Sequence, residues 1–135
     1  MRHPSPSTAH YVFITDENGI DVVFNPLKSR LLENNTFHVS LLYLSDSNVF
    51  VFQRELDALS RHFPSQFLIY YEIKNRRFDA FMPQETIEVV LNSNTRDELY
   101  FSVAGSEEFV ASVIDQLRFL GINETEITAD FFKIN

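Results

Sequence analysis

From residue 10 to the end of the chain, short apolar runs alternate with amphipathic stretches. The runs "HYVFIT" (10–15), "FHVSLLYL" (37–44), "QFLIYYEI" (66–73), "LYFSVA" (99–104) and "EITADFF" (126–132) are rich in β-branched and aromatic residues and have strand length. Between them the apolar spacing becomes helical and predicts helices over 22–33, 49–62, 84–91 and 106–120. In the second, Phe52, Leu56 and Leu59 share a face and Pro64 ends the pattern; the third starts after Pro83. In the fourth, Phe109, Val113, Leu117 and Leu120 form one stripe, and Gly121 stands at the C′ position that stops a helix. The order βαβαβαβαβ predicts an α/β fold, a parallel sheet with helices on both faces and right-handed, Rossmann-like crossovers.

Such sheets bind ligands beyond the carboxyl ends of their strands. The residues there are Asp16, Glu17, Asn18 and Gly19 after the first strand, and Ser45, Asp46, Ser47 and Asn48 after the second. Lys74, Asn75, Arg76 and Arg77 follow the third, and Gly105, Ser106, Glu107 and Glu108 the fourth. "ITDENGIDVV" (14–23) therefore occupies the place of a phosphate-binding turn while carrying Asp16, Glu17 and Asp21.

Length and charge narrow the picture. The 135 residues suffice for one core. Residues 1–10, with two prolines, two serines and a threonine, read as a flexible tail or linker remnant, and 11–135 as the domain. The net charge of −8 argues against nucleic acid and against an anionic membrane surface as partners. No cysteine is present, which removes thiolate nucleophiles, disulfides and thiolate metal sites. The N-terminus "MRHPSPSTAH" lacks the apolar core of a signal peptide, and a cytoplasmic location is expected.

Other chemistry is thinly represented. The histidines at 3, 10, 38 and 62 are scattered, so spacing implies no metal site, and His38 reads as a structural residue. Ser102 and Ser106 have no histidine partner in their element, so no Ser–His–Asp triad is implied. Lys74, Arg76 and Arg77 are the basic cluster, either a solvated loop or an anchor for an anion or an acidic partner. A response-regulator receiver would put an aspartate after strand 3 and a lysine after strand 5, and neither is there.

The C-terminal third, "YFSVAGSEEFVASVIDQLRFLGINETEITADFF", resembles the end of the nicotinamide-binding domain of ferredoxin–NADP reductase-like flavoproteins. "VAGS" takes the place of that family's Cys–Gly–Pro stretch and "ITADFF" that of its terminal strand. "VSLLYLSDSNVFVFQRELDALSRHFP" resembles its second strand and helix, and "YVFITDENGIDVVFNPLKSRLL" its first strand, Gly-x-Gly-Ile-Thr-Pro turn and helix. The match spans roughly 11–132. It implies a three-layer αβα sandwich with a five-stranded parallel sheet in the order 3-2-1-4-5. It also implies NAD(P)H as cofactor, with FAD supplied only by another domain or chain, so that the chain alone carries no flavin. By family position Thr15, Gly19, Ser45, Gly105 and Ser106 would touch the dinucleotide. No catalytic and no metal-binding residue is implied.

The departures fall on the binding positions. Asp16 and Glu17 replace small residues, Asp21 stands for threonine and Val22 for proline. Leu44, Ser45 and Asp46 lie where an arginine pattern would hold the adenosine side, and Ala104 replaces the cysteine. Asp130 stands for glutamate, and Phe132 keeps the aromatic position. Asp16, Glu17, Asp21, Asp46, Glu107 and Glu108 are expected to crowd the crevice with negative charge, and the turn acids to accept the N–H groups a pyrophosphate needs. Two readings follow. In one, the chain is at most the nicotinamide-binding part of an NAD(P)H:flavin-dependent reductase, with weak or no NAD(P)H binding. In the other, it is a non-catalytic binding or regulatory module that keeps only the fold. The resemblance also implies an association surface, covered by a flavin domain, another protein or a second copy.

Overall fold

The computed structural model describes residues 8–33, 37–74 and 82–132. Arg76 and Arg77 of the basic cluster, His3, most of the expected tail and the side chain of Phe132 lie outside the described residues. Five strands, β1 (Ala9–Asp16), β2 (His38–Ser45), β3 (Phe67–Ile73), β4 (Glu98–Ser106) and β5 (Ile127–Phe132), form one sheet in the order 3-2-1-4-5. Every neighbouring pair is parallel. The helices are α1 (Ile20–Glu33), α2 (Gln53–His62), α3 (Gln84–Ser93) and α4 (Glu107–Phe119).

The sequence dictates which helix covers which face. Val12 and Ile14 of β1, Leu42 and Leu44 of β2 and Phe101 and Val103 of β4 point to one side, where α3 brings Ile87 and Val90 and α4 brings Phe109, Val113 and Leu117. Phe13, Leu41, Tyr43 and Phe67 point to the other, under Ile20, Val23, Leu27 and Leu31 of α1 and Leu56 of α2. The central strands are thus apolar on both faces, which is why β1 and β2 read as continuous runs. Each large side chain buried here contributes about 2–3 kcal/mol. Gly121 (φ 87°) ends α4 as expected: its N–H donates to Arg118 O at 3.0 Å, and that of Ile122 to Leu117 O at 3.0 Å.

Two helices start two or more residues away from the sequence expectation. α1 begins at Ile20 rather than residue 22, directly after the turn. α2 begins at Gln53 rather than residue 49, because the Ser45 and Tyr43 hydroxyls donate to Val49 O (2.8 Å) and Val51 O (3.2 Å). Those carbonyls are held toward the sheet, and Phe52, expected on the helical stripe, is the left-handed N-cap (φ 67°).

At the amino ends of the strands His10 is buried, its Nδ1 3.1 Å from Asn94 Oδ1 and its Nε2 2.7 Å from Ser40 Oγ. Arg96 Nη2 donates to His38 Nε2 at 2.6 Å, so His38 is a structural acceptor. No helix among the described residues is long and apolar enough to cross a membrane. No group of three or more histidine, aspartate or glutamate side chains among them is placed to hold a metal.

Candidate functional site at the carboxyl ends of the strands

The β1–α1 and β4–α4 turns meet where the strand order reverses, between β1 and β4. Asp16, the last residue of β1, joins them. Its Oδ1 accepts the backbone N–H of Asn18 at 2.8 Å and of Gly19 at 3.1 Å, closing the first turn. Its Oδ2 accepts the N–H of Ser106 at 3.1 Å, at the start of α4. Asp16 as a whole is buried, 8% exposed.

The glycines permit this closeness. A Cβ on Gly105 (φ 150°) would lie 2.4 Å from Asp16 Oδ1. A Cβ on Gly19 would lie 2.4 Å from the carbonyl carbon of Ala104, so the first turn rests directly on β4 backbone. Ser106 caps α4 with its side chain, Oγ accepting the N–H of Phe109 at 3.2 Å.

All five residues expected to touch a dinucleotide are gathered at this end, and their polar groups have internal partners. The Thr15 hydroxyl donates to Asp16 O at 2.9 Å and is fully buried. Ser45 Oγ donates to Val49 O and accepts the Ser47 N–H at 3.2 Å. The Gly19 and Ser106 N–H groups point at Asp16, and Gly105 gives it room.

A cleft of about 190 Å³ opens above these turns, lined by Asp16, Glu17, Asn18, Leu44, Asp46, Lys74, Ser106 and Glu108. Of the six carboxylates expected to crowd the crevice, Asp16, Glu17, Asp46 and Glu108 line this cleft, while Asp21 and Glu107 do not. Glu17 Oε1 reaches Asp46 N at 3.4 Å, and Lys74 Nζ lies 3.9 Å from Asp46 Oδ1. Below, burial pushes the Tyr43 hydroxyl up to about 12; its bond to Val51 opposes the shift, and Glu17, Asp21 and Asp16 add to it.

A larger hollow, about 300 Å³, lies against the open face of β4 and β5, with Tyr11, Arg30, Tyr100, Ser102 and Thr128 in its wall. It is away from the carboxyl ends of the strands. Its aromatic floor is Tyr11 stacked on Tyr100 at 5.5 Å, with the Arg30 guanidinium 4.5 Å from the Tyr11 ring centre. Sequence spacing holds no signal for it, because Arg30 and Tyr100 meet only through the crossover.

No protein-family model matches the sequence, and no curated protein matches it. Solved structures do. The CS-b5R domains of human Ncb5or, in the NAD+ form, superpose with a TM-score of 0.74 over 90% of this chain at 11% identity. The chain shares its fold with one part of ferredoxin–NADP reductase-type structures. The FAD/NAD-binding domain of nitric oxide dioxygenase from Vibrio cholerae gives a TM-score of 0.70 over 92% of the chain at 20% identity. The ferredoxin–NADP+ reductase of Plasmodium falciparum gives 0.71 over 92% at 17% identity. This chain spans 36%, 51% and 52% of those three structures, so the reductase-type fold is shared over one part of each.

Proposed function

We propose that this chain is a ferredoxin reductase-type dinucleotide domain whose phosphate turn is filled by its own aspartate, and that it works as a binding module rather than by hydride transfer. The observation that carries the reading is the Asp16 carboxylate, which accepts the N–H groups of Asn18, Gly19 and Ser106. A pyrophosphate at a strand–turn–helix junction needs donors of this kind. Here an internal anion already has them, at no cost in translational freedom. The Asp46, Glu17 and Glu108 carboxylates around the cleft add like charge. The residues present therefore do not fit the dinucleotide's phosphates.

The reading gives NADH and NADPH affinities no tighter than about millimolar, roughly −4 kcal/mol. Calorimetric titration of the purified chain with each nucleotide tests it. Micromolar binding by the unmodified chain would restore the redox reading, with the hydride passing to an FAD held by another domain or chain. Asp16→Gly with Glu17→Gly should tighten binding if the acidic turn is the cause. A module of this kind needs an association surface, and the open β4–β5 face, where Tyr100 is 37% exposed, supports one. Light scattering tests for a second copy there.

A further inference from the structure

The segment between β2 and α2 holds apolar side chains out to solvent in a fixed conformation. Its residues alternate. Phe50 turns inward, edge-on to Tyr43 at 5.1 Å and to Tyr71 at 4.8 Å, and Phe52 stacks on Phe24 at 4.8 Å. Val49 and Val51 turn outward and are 62% and 48% exposed. The Ser45 and Tyr43 hydroxyls donate to the Val49 and Val51 carbonyls, which favours the outward turn of both side chains. Asn48 (φ 65°) and Phe52 (φ 67°) close the segment in the left-handed region, a conformation a bulky residue keeps only where its surroundings impose it. Val22, on the first turn of α1, adds a third exposed apolar side chain at this end of the domain.

Carboxylates lie beside the segment that carries the valines. Glu17 reaches the backbone of Asp46, three residues before Val49, and Asp21 sits on the first turn of α1. Asp21 lies one turn before Phe24, whose ring stacks on Phe52 at the end of the segment. The surface thus pairs rigid apolar points with negative charge, on a chain whose net charge is −8.

We propose that this rim docks a basic, apolar segment of a partner protein, with Val49 and Val51 receiving its apolar side chains and Glu17 and Asp21 its lysines or arginines, while Asp46 stays paired with Lys74. Charge complementarity selects this occupant: the same carboxylates repel an acidic segment and an anionic lipid surface. Pre-organisation serves it, because a segment already pinned by hydroxyl–carbonyl bonds loses little freedom on binding. The inference goes beyond the reading of Asp16 and holds whether or not a dinucleotide binds.

The test is fluorescence anisotropy of the full chain with a labelled helical peptide of leucine and lysine at amphipathic spacing. Two control peptides replace leucine by glutamine or lysine by glutamate. The Leu/Lys peptide should bind at least about ten-fold more tightly than either control. Val49→Ser with Val51→Ser should reduce its binding about ten-fold, to the level of the glutamine control. Glu17→Gln with Asp21→Asn should weaken it and flatten its salt dependence, whereas Glu85→Gln with Glu88→Gln, on α3, should leave it unchanged. Thermal melts confirm that each variant is folded. Absence of binding, equal binding after the valine replacements, or an equal loss from the α3 pair would overturn the proposal. So would a preference for phosphatidylserine vesicles over the peptide. The NADH titration has no bearing on any of these outcomes.

Discussion

The carboxylate of Asp16 and the missing side chain of residue 105 occupy the same volume: a Cβ on Gly105 would lie 2.4 Å from Asp16 Oδ1 and 2.6 Å from its carboxyl carbon. Gly105→Ala should therefore destabilise the domain by about 3 kcal/mol, the sum of this clash and of backbone strain at φ 150°. In an Asp16→Ala background the clash is gone and only the backbone component remains, about 1–2 kcal/mol. Denaturant unfolding of the two single variants and the double variant measures the coupling. Additive effects would mean that the two residues do not share that volume.

Gly19→Ala should behave differently. Its Cβ would meet Ala104 C at 2.4 Å, Ala104 O at 2.5 Å and Gly105 N at 2.6 Å, all backbone. No side chain can swing away, so the loss, about 3 kcal/mol, should persist when Asp16 is alanine. The same unfolding series reads it, and rescue by Asp16→Ala would count against the geometry.

Ser106→Ala removes the cap on Phe109 N but keeps the backbone N–H that Asp16 accepts. The expected loss is about 1 kcal/mol, typical of a serine N-cap. It should leave nucleotide titrations unchanged, because the Asp16 bonds remain.

Stability should fall on acidification. Burial lowers His10 below its ordinary 6.5, a shift opposed by its Asn94 bond and deepened by His38 and Arg96. His38 is lowered by burial and by Arg96. Both are therefore neutral in the fold at pH values where the unfolded chain already takes up protons. Their contribution is complete above about pH 6.5 and is lost as pH drops toward the lowered folded values, with a slope of at most about 1.4 kcal/mol per pH unit for each proton. Melting temperatures measured from pH 8 to pH 5 on the parent and on His10→Gln check this (range chosen to bracket the ordinary histidine value). The variant should show the shallower decline.

Much of the architecture was legible because local and global signals agree. Val12, Ile14, Leu42 and Val103 alternate with Phe13, Leu41 and Tyr43, so each central strand announces two buried faces. The α4 stripe and Gly121 likewise speak for themselves. The 49–52 segment misled because Phe52, Leu56 and Leu59 have helical spacing, while the bonds that unwind it come from hydroxyls of a preceding strand. At the site, the position of Asp16 after an apolar strand marked it as an acceptor for the turn's N–H groups. Its third donor, Ser106 N, belongs to a different strand and had no local signature. Glu17, grouped with Asp16 in sequence, reaches instead to Asp46 N. The His10–Ser40–Asn94 and His38–Arg96 contacts also join separate elements, so scattered histidines gave no hint of them.

The bond from Ser106 N to Asp16 spans 90 residues of chain. During synthesis β1 emerges first, yet the strand that flanks it in the sheet, β4, leaves the ribosome only after β2, β3 and three helices. Until then one edge of β1 has no partner, and its most apolar run lies open to other nascent chains. Pairing of β1 with β4 is a long-range contact, and the Asp16–Ser106 bond is made only once that pair has closed.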